Sequence, residues 1–256
     1  MLRRIWRAAP PPGLAPLWAG RGPEPDLTWD ILTGPAPSWP PGAVLLHLAG
    51  STGRTDPALN TALVPPLLAA CRANAVRHLL FASTAAVYAP GARPARETDP
   101  AAPANAYGRA KAEAESLLAE AAPGLTVLRI GNVAGADALL GPRPDEGAIR
   151  LDPVPGSETG PLRSWIGPVS LARCLAALIL RADDLPAVLN VAAAPPLGMA
   201  DLLRASDRAW SWGPVNPAVV PAAVLDTTRL NAIAPPPPAS PGGIMAELAA
   251  LKDLPA

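Results

Sequence analysis

Tyr107 and Lys111 stand four residues apart in "NAYGRAKAEAE" (105–115). Both types are scarce here: the chain has two tyrosines, Tyr88 and Tyr107, and two lysines, Lys111 and Lys252, against 19 arginines. On a helix, residues i and i+4 share a face, about 5–6 Å apart. A tyrosine hydroxyl titrates near pH ~10 and is a poor base at neutrality. An ammonium one turn away favours the phenolate, and a fall of about three units corresponds to about 4 kcal/mol. The pair could therefore make Tyr107 a usable acid/base. Arginine carries the same charge on a bulkier fork, a reason for lysine to persist where the chain otherwise writes arginine. The competing account is an ordinary exposed helix with "KAEAE" as solvated charge. "LLFAST" (79–84) adds Ser83 and Thr84 at the end of an apolar run, where a hydroxyl can hydrogen-bond a substrate hydroxyl or carbonyl. Simple termination of a strand by Ser/Thr explains the same two residues.

These side chains need a scaffold, and apolar runs alternate with helical segments along the chain. "APLWAGR" (15–21), "AVLLHLAG" (43–50), "VRHLLFAST" (76–84), "LTVLRIGN" (125–132) and "AVLNVAA" (187–193) read as strands. Continuous rather than alternating hydrophobicity marks strands buried on both faces. Residues 56–74 have helical period interrupted by Pro65-Pro66, which predicts a kink or two short helices with proline opening the second. Residues 105–124 predict a helix capped by Asn105 and ended by Pro123-Gly124, and 170–182 predict another. The alternation predicts an α/β fold, a doubly wound parallel sheet with ligands beyond the carboxyl ends of its strands. Gly50, Ser83-Thr84 and Asn132 follow such ends. The tail, 195–256, is proline-rich with short helical segments, and 234–243 reads as an extended surface loop.

Composition narrows the function. Formal net charge is zero, with no basic stretch, which argues against nucleic-acid and membrane-surface partners. Two histidines exclude a multi-histidine metal site, so no metal is expected. Cys71 and Cys174 lie in apolar helical contexts and read as buried, reduced thiols. The basic, apolar start imitates a signal peptide, but Pro10, Pro11, Pro12 and Pro16 break it. "CLAALIL" is far short of the roughly 20 residues that span a membrane. The chain reads as soluble and cytoplasmic.

With these residues in place, the chain resembles the extended short-chain dehydrogenases/reductases, the NAD-dependent epimerase/dehydratase family, from about residue 14 to 230. "VLLHLAG", "FASTAAVYA", "AYGRAK", "LRIGNVAG" and "RSWIGPVSLA" resemble five of the family's segments in order. The resemblance implies a Rossmann-like core (1–133 and 169–193) with substrate-capping segments (134–168 and 194–256). It implies Tyr107 as general acid/base, Lys111 tuning it and holding the nicotinamide ribose, and Thr84 on the reacting oxygen. Leu48, Ala49 and Gly50 would line the cofactor groove, Asp30 would lie near the adenine, and Asn132 near nicotinamide and substrate. Arg163 matches a position that meets substrate phosphate. Arg21 falls where the adenosine ribose is read, and a cation there predicts NADP in preference to NAD. The partner would be a small-molecule substrate, a sugar nucleotide or another carbonyl or alcohol. The family also suggests a homodimer through helices corresponding to 56–74 and 105–121.

Three departures stand out. The family's opening strand and Gly-x-x-Gly-x-x-Gly turn, whose amides cradle a pyrophosphate, are absent. "MLRRIWRAA" reads as the helix that would follow that turn, and Gly13, Gly20 and Gly22 come too late to form it. A true start about a dozen residues upstream is one expectation; a short form with damaged cofactor binding is the other. The family's His and Asp before and within the next helix are Gly167 and Ser170, and its Gly after Val-Tyr is Ala89. The expected function is an NAD(P)-dependent oxidoreductase of epimerase/dehydratase type. The alternative is a non-catalytic dinucleotide-sensing or scaffold protein that retains the fold, or a truncated inactive form.

Overall fold

The computed structural model describes residues 1–256 apart from 23, 52–55, 92, 123, 144–146 and 256. The first half of the chain forms α1 (Leu2–Ala8), β1 (Ala19–Gly20), β2 (Leu27–Thr28), β3 (Val44–His47), α2 (Leu59–Ala62), α3 (Val64–Ala73), β4 (His78–Thr84), α4 (Ala106–Ala121) and β5 (Leu125–Ile130). Then come β6 (Asn132–Val133), β7 (Ile149–Leu151), β8 (Leu162–Ile166), α5 (Pro168–Leu180), β9 (Val188–Val191) and β10 (Ala193–Gly198). The tail holds α6 (Met199–Ala205), β11 (Trp210–Trp212), β12 (Ala222–Ala223), α7 (Thr228–Ile233) and α8 (Pro241–Lys252).

The apolar runs become a parallel sheet, β3-β4-β5-β9, whose two faces are both covered. Alternate side chains of a strand point to opposite faces. Leu79, Phe81 and Val127 pack with Leu67 of α3 and Ala114 and Leu118 of α4. Leu80, Leu128 and Leu189 pack on the other side with Trp6 of α1 and Leu175 and Leu178 of α5. Each such buried leucine contributes about 1.5–3 kcal/mol, so the unbroken hydrophobicity of these runs is what a sheet between two helical layers requires. This is the doubly wound, Rossmann-like architecture the pattern predicts.

Several boundaries shift for local reasons. Helix 56–74 is indeed two helices, with the proline pair in the first turn of α3, where missing amide donors cost nothing. Asn105 caps α4 by accepting the Gly108 amide at 2.8 Å. The helix ends at Ala121; Pro123, half of the expected stop, lies outside the described residues. The expected strand 15–21 shrinks to β1, which bonds β2 alone. Among the described residues no strand joins the β1-β2 pair to β3, so a continuous sheet is split there. After β5 the chain leaves the main sheet at Gly131, and β6 joins β8 in a second sheet with β10 and β12. A Cβ at Gly131 would come 2.7 Å from the Ser164 carbonyl oxygen, so glycine permits this close crossing and aims Asn132 between the sheets.

The departures at Gly167 and Ser170 have a shared structural cause. Glu247 of α8 reaches the start of α5, where its carboxylate accepts the Val169 and Ser170 amides at 2.8 and 2.9 Å and the Ser170 hydroxyl. A Cβ at Gly167 would overlap that carboxylate. An anion here satisfies the unpaired donors of the helix end and its dipole. Glu247→Ala should therefore cost about 1–2 kcal/mol of stability. Chemical denaturation reads this directly, and an unchanged midpoint would refute the cap.

Candidate active site

Strand alternation separates the two hydroxyls at the end of β4. Ser83 turns inward and donates to Glu115 of α4. Thr84 turns to the opening, where its Oγ1 accepts the Ala86 amide at 3.2 Å and starts the short turn Ala85–Val87. The capped first turn of α4 brings Tyr107 to the same place. Burial pushes the Tyr107 hydroxyl above its ordinary value, and the Thr84 hydroxyl is the polar contact that opposes this. Tyr107 is therefore neutral at pH 7 in the chain by itself.

Lys111 is buried, at 5% exposure, so the solvated-face account fails for it. Its Nζ donates to the Ala82 carbonyl at 2.9 Å and lies 4.8 Å from the centre of the Phe81 ring. Burial lowers its pKa to about 8, with the Glu115 charge opposing. The downward pull on Tyr107 expected from Lys111 is not what governs that residue: the ammonium points toward β4, and burial dominates at the phenol. Lys111 instead faces the end of β3. A Cβ at Gly50 (φ +150°) would lie 3.3 Å from Lys111 Nζ and would overlap the Asn60 amide oxygen. Asn60 fixes that turn by accepting the Ser51 amide at 3.1 Å and donating to the Ser51 and Pro57 carbonyls. His47, stacked on Phe81, is pushed down to about 4 by burial and then by the Lys111 charge, so it stays neutral.

The expected binding residues sort into two cavities. Thr84, Asn132 and Arg163 line one pocket of about 260 Å³, together with Arg93, Asn105 and Ser164. Arg163 is held there by the Leu162 and Val220 carbonyls at 2.8 and 2.9 Å. Arg21, Asp30, Leu48, Ala49 and Gly50 line a larger cleft of about 770 Å³ between β1 and β3. Asn132 thus belongs to the smaller pocket and Lys111 touches the edge of the larger one through Gly50. The cleft is of the size that takes a cofactor, about 300–1,000 Å³. Its lining is mostly apolar, with Arg21 and Asp30 among its few charged groups. The described residues offer no glycine-amide cradle for a pyrophosphate.

Sequence reasoning missed the support behind these side chains. Glu115 and Arg129 form a buried ion pair, Nη2 to Oε2 2.7 Å, with both side chains 8% exposed. Tyr88, the other scarce tyrosine, lies under the Arg129 guanidinium and donates to Asn190 Oδ1 at 2.8 Å. Glu115 follows Lys111 by four residues, and Arg129 opens the "RIGN" segment. Those spacings were the available signal.

Residues 47–149 match the sequence model of the NAD dependent epimerase/dehydratase family. A UDP-glucose 4-epimerase of Azospirillum brasilense is 48% identical over 83 residues, 30% of this chain and 24% of that protein. The matched segment thus spans about a quarter of that relative's length. Among solved structures, the Thermus thermophilus UDP-glucose 4-epimerase complex with NAD superposes with TM-score 0.64, at 24% identity, covering 83% of this chain and 78% of that one. A Stenotrophomonas maltophila UDP-glucose-4-epimerase, with bound NAD and formylated UDP-arabinopyranose, gives 0.67 at 20% identity, covering 82% and 77%. Such neighbours hold NAD, which overturns the NADP preference expected from Arg21. The structure gives a reason: the Asp30 carboxylate lies 3.6 Å from Arg21 Nη1 on the same cleft, and an acidic residue there suits a ribose diol rather than a 2′-phosphate. Among the described residues no helix is long and apolar enough to cross a membrane.

Proposed function

We propose that the chain belongs to the NAD-dependent epimerase/dehydratase family, whose model matches residues 47–149, and that it carries out NAD-dependent chemistry at a secondary alcohol or ketone carbon of a sugar nucleotide. The reading rests on one observation above all. Thr84 lines the pocket with Asn132 and Arg163, and its hydroxyl is the polar contact of Tyr107 at the start of α4. In this reading the substrate oxygen sits between the Thr84 and Tyr107 hydroxyls. Thr84 holds it, and Tyr107 donates or removes its proton. Arg163, half-buried and fully charged, meets a phosphate. NAD, bound in the larger cleft, supplies the hydride acceptor for the substrate carbon. Asp30 suits the ribose diol of that cofactor, Leu48–Gly50 line its path, and Lys111 reaches its nicotinamide end beside Gly50. The dinucleotide is assigned to 1–133 and 169–193, the substrate cap to 134–168 and 194–256.

The test is a titration of the purified chain with NADH, followed by nicotinamide fluorescence, then incubation with NAD and a panel of UDP-sugars with product analysis. Saturable binding and conversion of one sugar support the reading. Binding without conversion of any sugar would favour the non-catalytic, dinucleotide-sensing alternative. Failure to bind at all would remove the cofactor assignment.

A further inference from the structure

Behind Tyr107 and Lys111 lies a polar network that no step above uses. Arg129 of β5 grips Glu115 of α4 through Nε at 3.1 Å and Nη2 at 2.7 Å. Ser83 of β4 donates to the other Glu115 oxygen. The guanidinium lies 4.7 Å from the Tyr88 ring centre, and Tyr88 carries the chain of contacts on to Asn190 of β9. One ion pair thus ties α4 to three strands of the sheet at their carboxyl ends. Ser83 precedes Thr84, and Glu115 stands one helical turn beyond Lys111 on the same face.

Such a pair is a poor device for stability alone. Desolvating two charges offsets most of their attraction, and apolar replacements of similar volume are often as stable or more so. An apolar filling would, however, leave Lys111 without a negative neighbour. We infer that the Glu115–Arg129 pair is the positioning element of this site: it locks the end of β4 to α4, so that Thr84 meets Tyr107, and among the described residues it presents the carboxylate that Lys111 faces. The other described groups around Lys111 do not supply that charge. His47 from β3 is neutral, Phe81 and the Ala82 carbonyl from β4 carry no charge, and Tyr107 on the same helix is protonated. The consequence for catalysis rests on the Tyr107–Lys111 reading; the electrostatic role does not.

Two lysines make the test direct. Protein labelled with ¹³C at the lysine ε carbons gives two side-chain signals, and exposed Lys252 serves as internal reference. The parent Lys111 signal should titrate near 8. Glu115→Gln should lower that midpoint by about one unit, a tenfold loss of proton affinity. Arg129→Met, which leaves the carboxylate facing Lys111 alone, should raise it by a similar amount, about one unit. Lys252 should not move in either. A residue that merely packs would not produce opposite shifts. Should Glu115→Gln fail to fold, Arg129→Met, which retains the Ser83 hydroxyl as donor to the carboxylate, carries the test. An unmoved Lys111 midpoint in folded protein, or shifts of the same sign, would overturn the inference. No substrate is needed, so that result would leave Tyr107 untouched, and an inactive protein with the expected shifts would leave this inference standing.

Discussion

Tyr107→Phe is expected to lower turnover by about 100-fold or more while NAD affinity changes less than about twofold, the loss that removal of a general acid/base produces. The substitution deletes one oxygen and keeps the ring that fills the first turn of α4. The pocket lined by Thr84, Asn132 and Arg163 keeps its shape, and the cleft with Asp30 and Gly50 is untouched. Burial raises the Tyr107 pKa, so at pH 7 the residue enters the reaction as a proton donor. The ketone-reducing direction, in which the forming alkoxide takes a proton, should therefore suffer in the variant as fully as the reverse. Steady-state assays on the sugar converted by the parent, beside NADH titration of both proteins, decide it. Turnover within tenfold of the parent would end the assignment of Tyr107.

Gly108→Ala should destabilise the protein by about 1–3 kcal/mol, the usual cost of overpacking a tight site. On propensity alone the sign should be opposite, since alanine in a helix gains roughly 1 kcal/mol over glycine. The neighbours reverse it. A Cβ at Gly108 would overlap the Ala86 carbonyl oxygen and lie 2.9 Å from both the Ala86 carbonyl carbon and Pro103 Cβ. These are backbone and ring atoms with little freedom to yield. Helix α4 would have to back away from the Ala85–Val87 turn, and that turn is where Thr84 meets Tyr107. Stability and turnover should fall together, by about 2–4 °C in Tm for each kcal/mol in a chain of this size. A Tm equal to or above that of the parent would show that the contact is slack.

Some of this protein is local and could be read from its residues. Runs such as "HLLFA" and "LTVLRI" are apolar throughout because both faces of their strands are covered, and nothing distant is needed to see it. Asn105 before "AYGRAK", and the proline pair at the head of α3, act within one helical turn. The spacing of Tyr107 and Lys111 likewise follows from helix geometry. These made the doubly wound fold and the central candidate residues legible.

Other features depend on groups far apart in sequence, and only the folded chain decides them. The strand expected at 15–21 survives as two residues, because strand length is set by available neighbours and β1 has only β2. The KAEAE segment divides by face: Lys111 and Glu115 turn into the protein, where Ala82, Ser83 and Arg129 receive them. The Lys111 charge therefore meets Gly50 and Glu115 rather than governing Tyr107. Arg21 falls near Asp30 only when β1 and the following loop are placed, which sets a carboxylate beside the cation on which an NADP preference depended. Gly167 and Ser170 look like losses from a family pattern until Glu247, about 80 residues later in the chain, fills the same space and caps the same helix. Spacing along the chain determines which side chains share an element; packing between elements determines which charges they feel.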